Sequence, residues 1–425
     1  MAENNFLLKG GVRKPGAKPV DLLVKDGCIA ACEPSGGLEA PVDFALHEAG
    51  GQLLFPSFID AHVHLREPGF EYKEDITSGL TAALHGGFGA VMPMANTRPV
   101  NDSAAVTRLM LEKAKAAYPH GPRLYPVGAL SLELAGKALS PMGELREAGA
   151  VAISNDGRPV RDSDIFRHAV EYAATWGLTV IDHCEDESLA PDWKMNESET
   201  SATLGIKGQP PAGEALQVAR DILLAEYLHL PIHLAHISCR ESLELIRWGK
   251  ARGVPITAET CPQYLFLDDS MLINYDTAFK TSPPLRGKAD VKALRAALAD
   301  GVIDMLVTDH APHAAHEKEV PFEEAASGMI GLETAVAVSY DLVRQGVIPH
   351  TRFEELWCSG PARIFKLPIN TFQPGDRADF FLFDTEARWV VSPELLHSKS
   401  HNTPWLGREL SGRVSAHWLS GLKLL

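Results

Sequence analysis

Taken by its hydrophobic and polar positions, the chain falls into three stretches of different character. The first fifty or so residues read as short strands and turns. Asp21-Leu-Leu-Val-Lys-Asp-Gly-Cys-Ile-Ala30 is apolar on both sides of Lys25-Asp26-Gly27, and Asp-Gly between apolar runs signals a hairpin. The far end is alike: Arg377 to Asp384 reads as a strand, and Val414 to Leu425 as a pair of strands about Gly421. Two strand-rich ends around a different middle predict one small β-domain, a sandwich, assembled from residues 1–54 and 366–425.

The middle, residues 55–365, alternates differently. Apolar runs occur at Leu53–His62, Gly87–Met94, Arg123–Leu130, Val151–Asn155, Leu178–Cys184, Pro231–Ser238, Val254–Thr260 and Asp304–His310. Between them lie segments of helical period, among them Val106–Ala117, Asp164–Trp176, Ala215–His229, Arg240–Arg252 and Val291–Ala299. Continuous apolar runs separated by helices predict strands buried on both faces of a parallel sheet. Eight such units predict an α/β fold of the (β/α)8 TIM-barrel type. The competing architecture is an open doubly wound sheet, which the missing G-x-G-x-x-G turn after the first strand disfavours.

The length, 425 residues, suits one large barrel with a small accessory domain. The formal net charge of -15 argues against a general nucleic-acid binder, which needs a surplus of Lys and Arg. It leaves room for an anionic small-molecule substrate, since one Arg can hold one carboxylate. No run of about 18 apolar residues occurs, so no membrane partner is expected. The N-terminus has no apolar leader, and Cys28, Cys32, Cys184, Cys239, Cys261 and Cys358 are scattered. Reduced thiols and a cytoplasmic location are therefore expected.

Histidine and aspartate cluster at the ends of these runs. The first ends in His62-Val-His64, the fourth in Asp156, the fifth in His183, the sixth in His236 and the eighth in Asp309-His310. Barrel enzymes carry their catalytic groups at the C-terminal ends of the strands, where the strands converge on one mouth. Two histidines two apart on a strand face the same side. A lone H-x-H pair is more often surface or strand packing, and Asp309 alone could cap a helix. Polar groups at five matching strand ends are not so explained, because each buried one needs a partner. Imidazole and carboxylate suit Zn²⁺, and Asp156, lying between the histidine groups, is the candidate bridge between two ions. Asp309 could touch the metal and take a proton from bound water. The neighbouring Cys184, Cys239 and Cys261 point the other way on their strands and are expected to be inert.

Phe55-Pro-Ser-Phe-Ile-Asp-Ala-His-Val-His-Leu-Arg-Glu-Pro-Gly69 resembles the opening motif of the dihydroorotases, in the amidohydrolase superfamily. The resemblance runs on through Met94 to Asp102, Ser154-Asn-Asp-Gly157, His183 to Asp186, Ala235 to Ser238, Ser282 to Arg286, Thr308 to His313, Glu317-Lys318, Gly331 to Thr334 and Ser398 to Pro404. It implies that His62, His64 and Asp309 bind one zinc, that His183 and His236 bind a second, and that Asp156 bridges them. One or two zinc ions per chain are expected, with two favoured. It implies Arg66, Asn96, Ser282 and His313 as substrate residues, with Asp309 the catalytic base. Hydantoinases, with allantoinases the competing enzyme reading, and some dihydroorotases use a carboxylated lysine as the bridge, but the run from Ala150 to Asn155 holds no lysine, and Asp156 in Asn-Asp-Gly resembles the branch of bacterial dihydroorotases with an aspartate bridge. Two positions depart from the family pattern and bear on ring recognition: Ser282, often Asn, and Gln263, often His. The implied reaction is the reversible interconversion of N-carbamoyl-L-aspartate and L-dihydroorotate. The implied assemblies are a homodimer and an association with aspartate carbamoyltransferase. A non-catalytic partner of that enzyme would have lost ligands, and none of the six is missing.

Overall fold

The computed structural model describes residues 4–425. Strands β1 (Phe6–Gly11), β2 (Val20–Lys25), β3 (Cys28–Pro34) and β4 (Ala45–Glu48) form one sheet in the order β3-β2-β1-β4. The Asp-Gly hairpin joins β2 to β3, pairing Lys25 with Cys28. Asp26 and Gly27 both take positive φ, 51° and 77°, the backbone a two-residue hairpin turn requires.

The run from Leu53 is two strands. β5 (Leu53–Pro56) pairs with the C-terminal part of the chain, and β6 (Phe58–Val63) turns into a second sheet. Next in order come β7 (Phe88–Pro93), β8 (Arg123–Leu124), β9 (Val127–Ala129), β10 (Ala152–Ser154) and β11 (Thr179–Asp182). A short ladder of β12 (Met195–Asn196) with β13 (Gly208–Gln209) intervenes before β14 (Ile232–Leu234), β15 (Ile256–Thr260) and β16 (Met305–Leu306). β6 through β8 pair in parallel, and so do β9, β10, β11, β14, β15 and β16. β8 and β9 are pieces of one apolar run, broken at Tyr125-Pro126, where proline has no N–H to give a ladder. Val63 bridges His310 in parallel, and His64 N donates to His310 O at 2.8 Å. The pairing thus returns from the last run to the first. Helices such as Ile76–Gly86, Ala104–Ala117, Ser163–Thr175, Pro211–Leu228 and Arg240–Ala251 follow the strands in alternation.

Burial explains the continuous apolar runs: every residue of β6, β7, β9 and β10 is buried. Helix Ile76–Gly86 begins at Asp75, whose side chain accepts from Ser78 N, and stops at Gly87 with φ 89°. Together these fix the chain between β6 and β7.

The C-terminal segment returns to the first sheet's surroundings. β17 (Phe380–Val390) pairs with β5 and with β18 (Glu409–Leu419), which pairs with β19 (Leu422–Lys423). Phe6, Leu22, Val24, Leu54, Phe380, Leu382 and Trp418 share one apolar core, separate from that of the parallel strands. Between β17 and β18 the chain leaves these sheets. Ser398 Oγ donates to Glu74, and Asn402 Nδ2 donates to Ala311 O at 3.0 Å. No helix among the described residues is long and apolar enough to cross a membrane.

Candidate metal centre and active site

The six His and Asp residues singled out at strand ends come together around Asp156. His62 Nε2 lies 3.3 Å and His183 Nδ1 3.3 Å from Asp156 Oδ1, with His236 Nε2 at 3.5 Å. On the other carboxylate oxygen, Oδ2, stands His64 Nε2 at 3.6 Å. Asp309 Oδ1 closes the group, 3.1 Å from His64 Nε2 and 3.8 Å from His62 Nε2. All six are buried. They make two overlapping clusters of ligand-type atoms that share Asp156: one with His62 and His64, one with His183 and His236.

Fixed partners set the direction of three rings. His62 Nδ1 donates to Glu259 Oε1 at 2.7 Å, His64 Nδ1 to Asn96 Oδ1 at 2.9 Å, and His183 Nε2 to Glu185 Oε2 at 3.1 Å. Each ring therefore turns its second nitrogen to the centre, the arrangement in which outer partners orient metal-binding imidazoles. His62 Nε2 is buried and without a hydrogen-bond partner. His183 Nδ1 and His236 Nε2 approach to 2.9 Å, the distance of an N–H···N hydrogen bond, and His236 Nδ1 is a second buried nitrogen without a partner. The donor set and the orphaned nitrogens thus fit a metal.

The electrostatics point the same way. Burial alone would raise the Asp156 carboxyl, but His62, His183 and His236 hold it well below its usual range. Burial opposes charge on His183, yet Asp156 and Glu185 carry it up to about 10. Glu259, buried between His62 and His233, is likewise held below the carboxylate range. The site is therefore built for positive charge, as protons or as a metal cation. Its backbone is strained: Arg66, His236 and Asp309 take φ of 62°, 32° and 49°, conformations that cost on the order of 1–3 kcal/mol each and concentrate at functional sites.

Beside this centre lie Arg66 and His313. Arg66 Nε donates to Pro312 O at 3.0 Å, and its Nη2 stands 3.3 Å from His313 Nε2. Burial lowers the Arg66 guanidinium to about 10, opposed by Asp309 and Glu317, so it stays charged at neutral pH. Burial, with Arg66, Lys73 and Lys318 nearby, pushes His313 down to about 2 and keeps it neutral. Asn96 joins the centre through His64, which engages its carbonyl and leaves its amide N–H groups for other partners. Ser282 is half-buried and lies outside these contacts; the next residues are tied down by Thr281 Oγ1 and Tyr264 OH, both 2.8 Å from Pro283 O. Gln263 is turned to Thr308 O at 3.3 Å. Cys184, Cys239 and Cys261 are buried, and burial raises each thiol well above its ordinary value.

Sequence reasoning passed over Glu259, Glu185 and Lys73. Glu259 sits at the end of the seventh apolar run, the same signal that marks the other groups. Glu185 follows His183 by two residues. Lys73 Nζ, 3.4 Å from His313 Nδ1 and 2.6 Å from Glu317 Oε1, carries no comparable signal.

A family model described as dihydro-orotase-like matches residues 51–242. A dihydroorotase of Desulforapulum autotrophicum is 47% identical over 401 residues, 94% of this chain and 93% of the relative. That of Geotalea daltonii is 46% identical over 97% of both chains, and that of Anaeromyxobacter dehalogenans 45% over 100% and 98%. Among solved structures, the L-hydantoinase of Arthrobacter aurescens superposes with a TM-score of 0.86 at 23% identity, covering 99% of this chain and 96% of its own. That likeness is one of fold. Identity near one half, spread over nearly the full length of both chains, decides the narrower question: this chain belongs to the dihydroorotase family.

Proposed function

We propose that this chain is a dihydroorotase, a hydrolase of cyclic amides that interconverts N-carbamoyl-L-aspartate and L-dihydroorotate in pyrimidine synthesis. The observation that carries the reading is the buried convergence of four imidazoles and Asp309 on Asp156, with a charged Arg66 alongside. The ring of parallel strands is read as a (β/α)8 barrel and the two terminal sheets as a sandwich, with the protein acting in the cytoplasm. His62, His64 and Asp309 would hold one zinc and His183 and His236 a second, with Asp156 shared between them. Bound zinc supplies Lewis acidity towards the ring carbonyl and lowers the pKa of water.

The chain's own residues do the rest. Asp309 faces the centre and, in the hydrolytic direction, accepts the proton of the attacking water and returns it to the leaving ring nitrogen. Arg66 forks onto the substrate carboxylate, to which the Asn96 amide also donates, with the neutral His313 ring standing against Arg66 Nη2 as part of the substrate site. Glu259, Asn96 and Glu185 keep His62, His64 and His183 oriented. The test is an assay of zinc-supplied protein with dihydroorotate beside hydantoin and allantoin. Dihydroorotate should have much the highest kcat/KM; a higher value on hydantoin would overturn the reading.

A further inference from the structure

Two lysines with no role in the chemistry above lie buried beside the mouth. Lys280 and Lys318 are only 4% and 7% exposed. Among the described residues neither ammonium forms an ion pair, and the acidic groups that act on them from further off are Glu323 for Lys280 and Asp276 for Lys318. Buried ammonium groups without a counter-ion are costly unless hydrogen-bonded, and both of these turn to backbone carbonyls of one loop. Lys280 Nζ donates to Phe322 O at 2.6 Å and Glu323 O at 3.2 Å. Lys318 Nζ donates to Ala326 O at 2.8 Å and Gly328 O at 3.1 Å. Gly328 N in turn donates to Lys280 O at 2.8 Å. Burial lowers the two lysines to about 8 and about 7.

The loop so held touches the site at one point. Ser327 O, between the two carbonyls that Lys318 engages, accepts from His313 Nε2 at 2.9 Å. Gly328 sits at φ 136°, and a Cβ there would stand 2.8 Å from Ala311 Cβ and 3.2 Å from His313 Cδ2. Asn402 links the same parts, accepting from His313 N at 3.1 Å and donating to Gly328 O at 3.1 Å. His313 and Lys318 also line one cleft of about 360 Å³.

We infer that Lys280 and Lys318 form a clasp that presses residues 321–328 against the mouth and, through Ser327 O, sets the position of the His313 ring against Arg66, where the substrate carboxylate is recognised. They are positioning residues, acting through the loop and His313. The inference rests on the carboxylate role given to Arg66 above. Its consequence is selective: loosening the loop should weaken a substrate that carries a carboxylate and leave its carboxylate-free counterpart alone.

The experiment uses the full-length, zinc-supplied protein and the variants Lys318→Met and Lys280→Met, with dihydroorotate and dihydrouracil as paired substrates. Each variant should raise KM for dihydroorotate about tenfold or more, the scale of a lost charge-assisted contact. It should change kcat little and leave kcat/KM for dihydrouracil near the parent value. Backbone amides of residues 322–329 should exchange with deuterium faster in both variants. Gly328→Ala keeps both lysines and tests the same loop should a lysine variant fail to fold: its Cβ must push the loop from Ala311 and His313, and it should show the same split. Equal losses on both substrates, or unchanged exchange in the loop, would overturn the clasp. Should the parent enzyme itself not prefer dihydroorotate, the carboxylate reading fails, and the exchange rates alone then decide whether the lysines hold the loop.

Discussion

His62, His64 and His183 each commit one ring nitrogen to a fixed acceptor and turn the other to Asp156, so the centre is ordered before any ligand arrives. Such ordering matters for catalysis because a misplaced ligand costs rate even when the chemistry is intact. The same economy of position applies to Arg66, held to Pro312 O by Nε, with further N–H groups left to meet an anion. Arg66→Met should therefore lower kcat/KM for dihydroorotate about ten- to over a hundredfold, as expected for about 1.5–3 kcal/mol of lost charge-assisted bonding. Metal content, measured on the same sample, should stay near the parent value. Equal kcat/KM for parent and variant would remove Arg66 from the carboxylate cradle. Residues of this kind were legible in the sequence because chemistry was written beside a strand end: His62-Val-His64-Leu-Arg66 is contiguous. Lys73 was not singled out, since its role arises from a contact with His313, 240 residues away; Glu259 ends an apolar run as the other groups do, but its role depends on His62, 197 residues away.

At the scale of elements, β6 carries His62 at its end and is fixed at its start by an aromatic cluster. The Phe58 ring packs edge-on against Phe55 at 5.2 Å and Phe381 at 4.9 Å, and stacks with Trp357 at 6.4 Å. Phe58 is fully buried. Phe58→Ala should cost about 3–5 kcal/mol in denaturant unfolding, the usual range for emptying a buried aromatic site. A loss below about 1 kcal/mol would show that this cluster does not anchor the strand. The apolar runs were legible as strands because burial on both faces removes alternation, leaving continuous hydrophobic stretches. Their ends and breaks were not. Leu53–His62 reads as one strand but changes sheets at Pro56-Ser57, and Arg123–Leu130 is divided at Tyr125-Pro126. Pairing partners decide such breaks, and hydrophobic period carries no record of partners. The return of Ser398–Asn402 to the mouth was hidden for the same reason, since its contacts are hydrogen bonds to distant backbone and to Glu74.

Across the whole molecule, the terminal sheets and the parallel strands meet at His417. From β18 its Nδ1 donates to Leu84 O at 2.8 Å, at the end of helix Ile76–Gly86, while its Nε2 accepts from Ser57 Oγ at 2.8 Å. Fully buried with both ring nitrogens engaged, the ring has no carboxylate partner to hold a charge. Burial pushes its pKa down to about 4, against the Leu84 carbonyl. The unfolded chain takes up this proton below its ordinary value near 6.5, whereas the folded chain does so only near 4. Stability from His417 is therefore full above pH 6.5 and lost as pH falls towards 4, at up to about 1.4 kcal/mol per unit. His417→Gln should flatten the fall in melting temperature between pH 6.5 and 4; parallel curves for parent and variant would exclude His417 from that transition. The proposed chemistry depends on the centre that the parallel strands gather around Asp156. Its most direct test is to remove metal from the purified protein with a chelator, then add zinc back stepwise while measuring bound zinc and dihydroorotate turnover on the same samples. Turnover should vanish with the metal and return as two zinc ions per chain are restored; full turnover of dihydroorotate by metal-free protein would contradict the account.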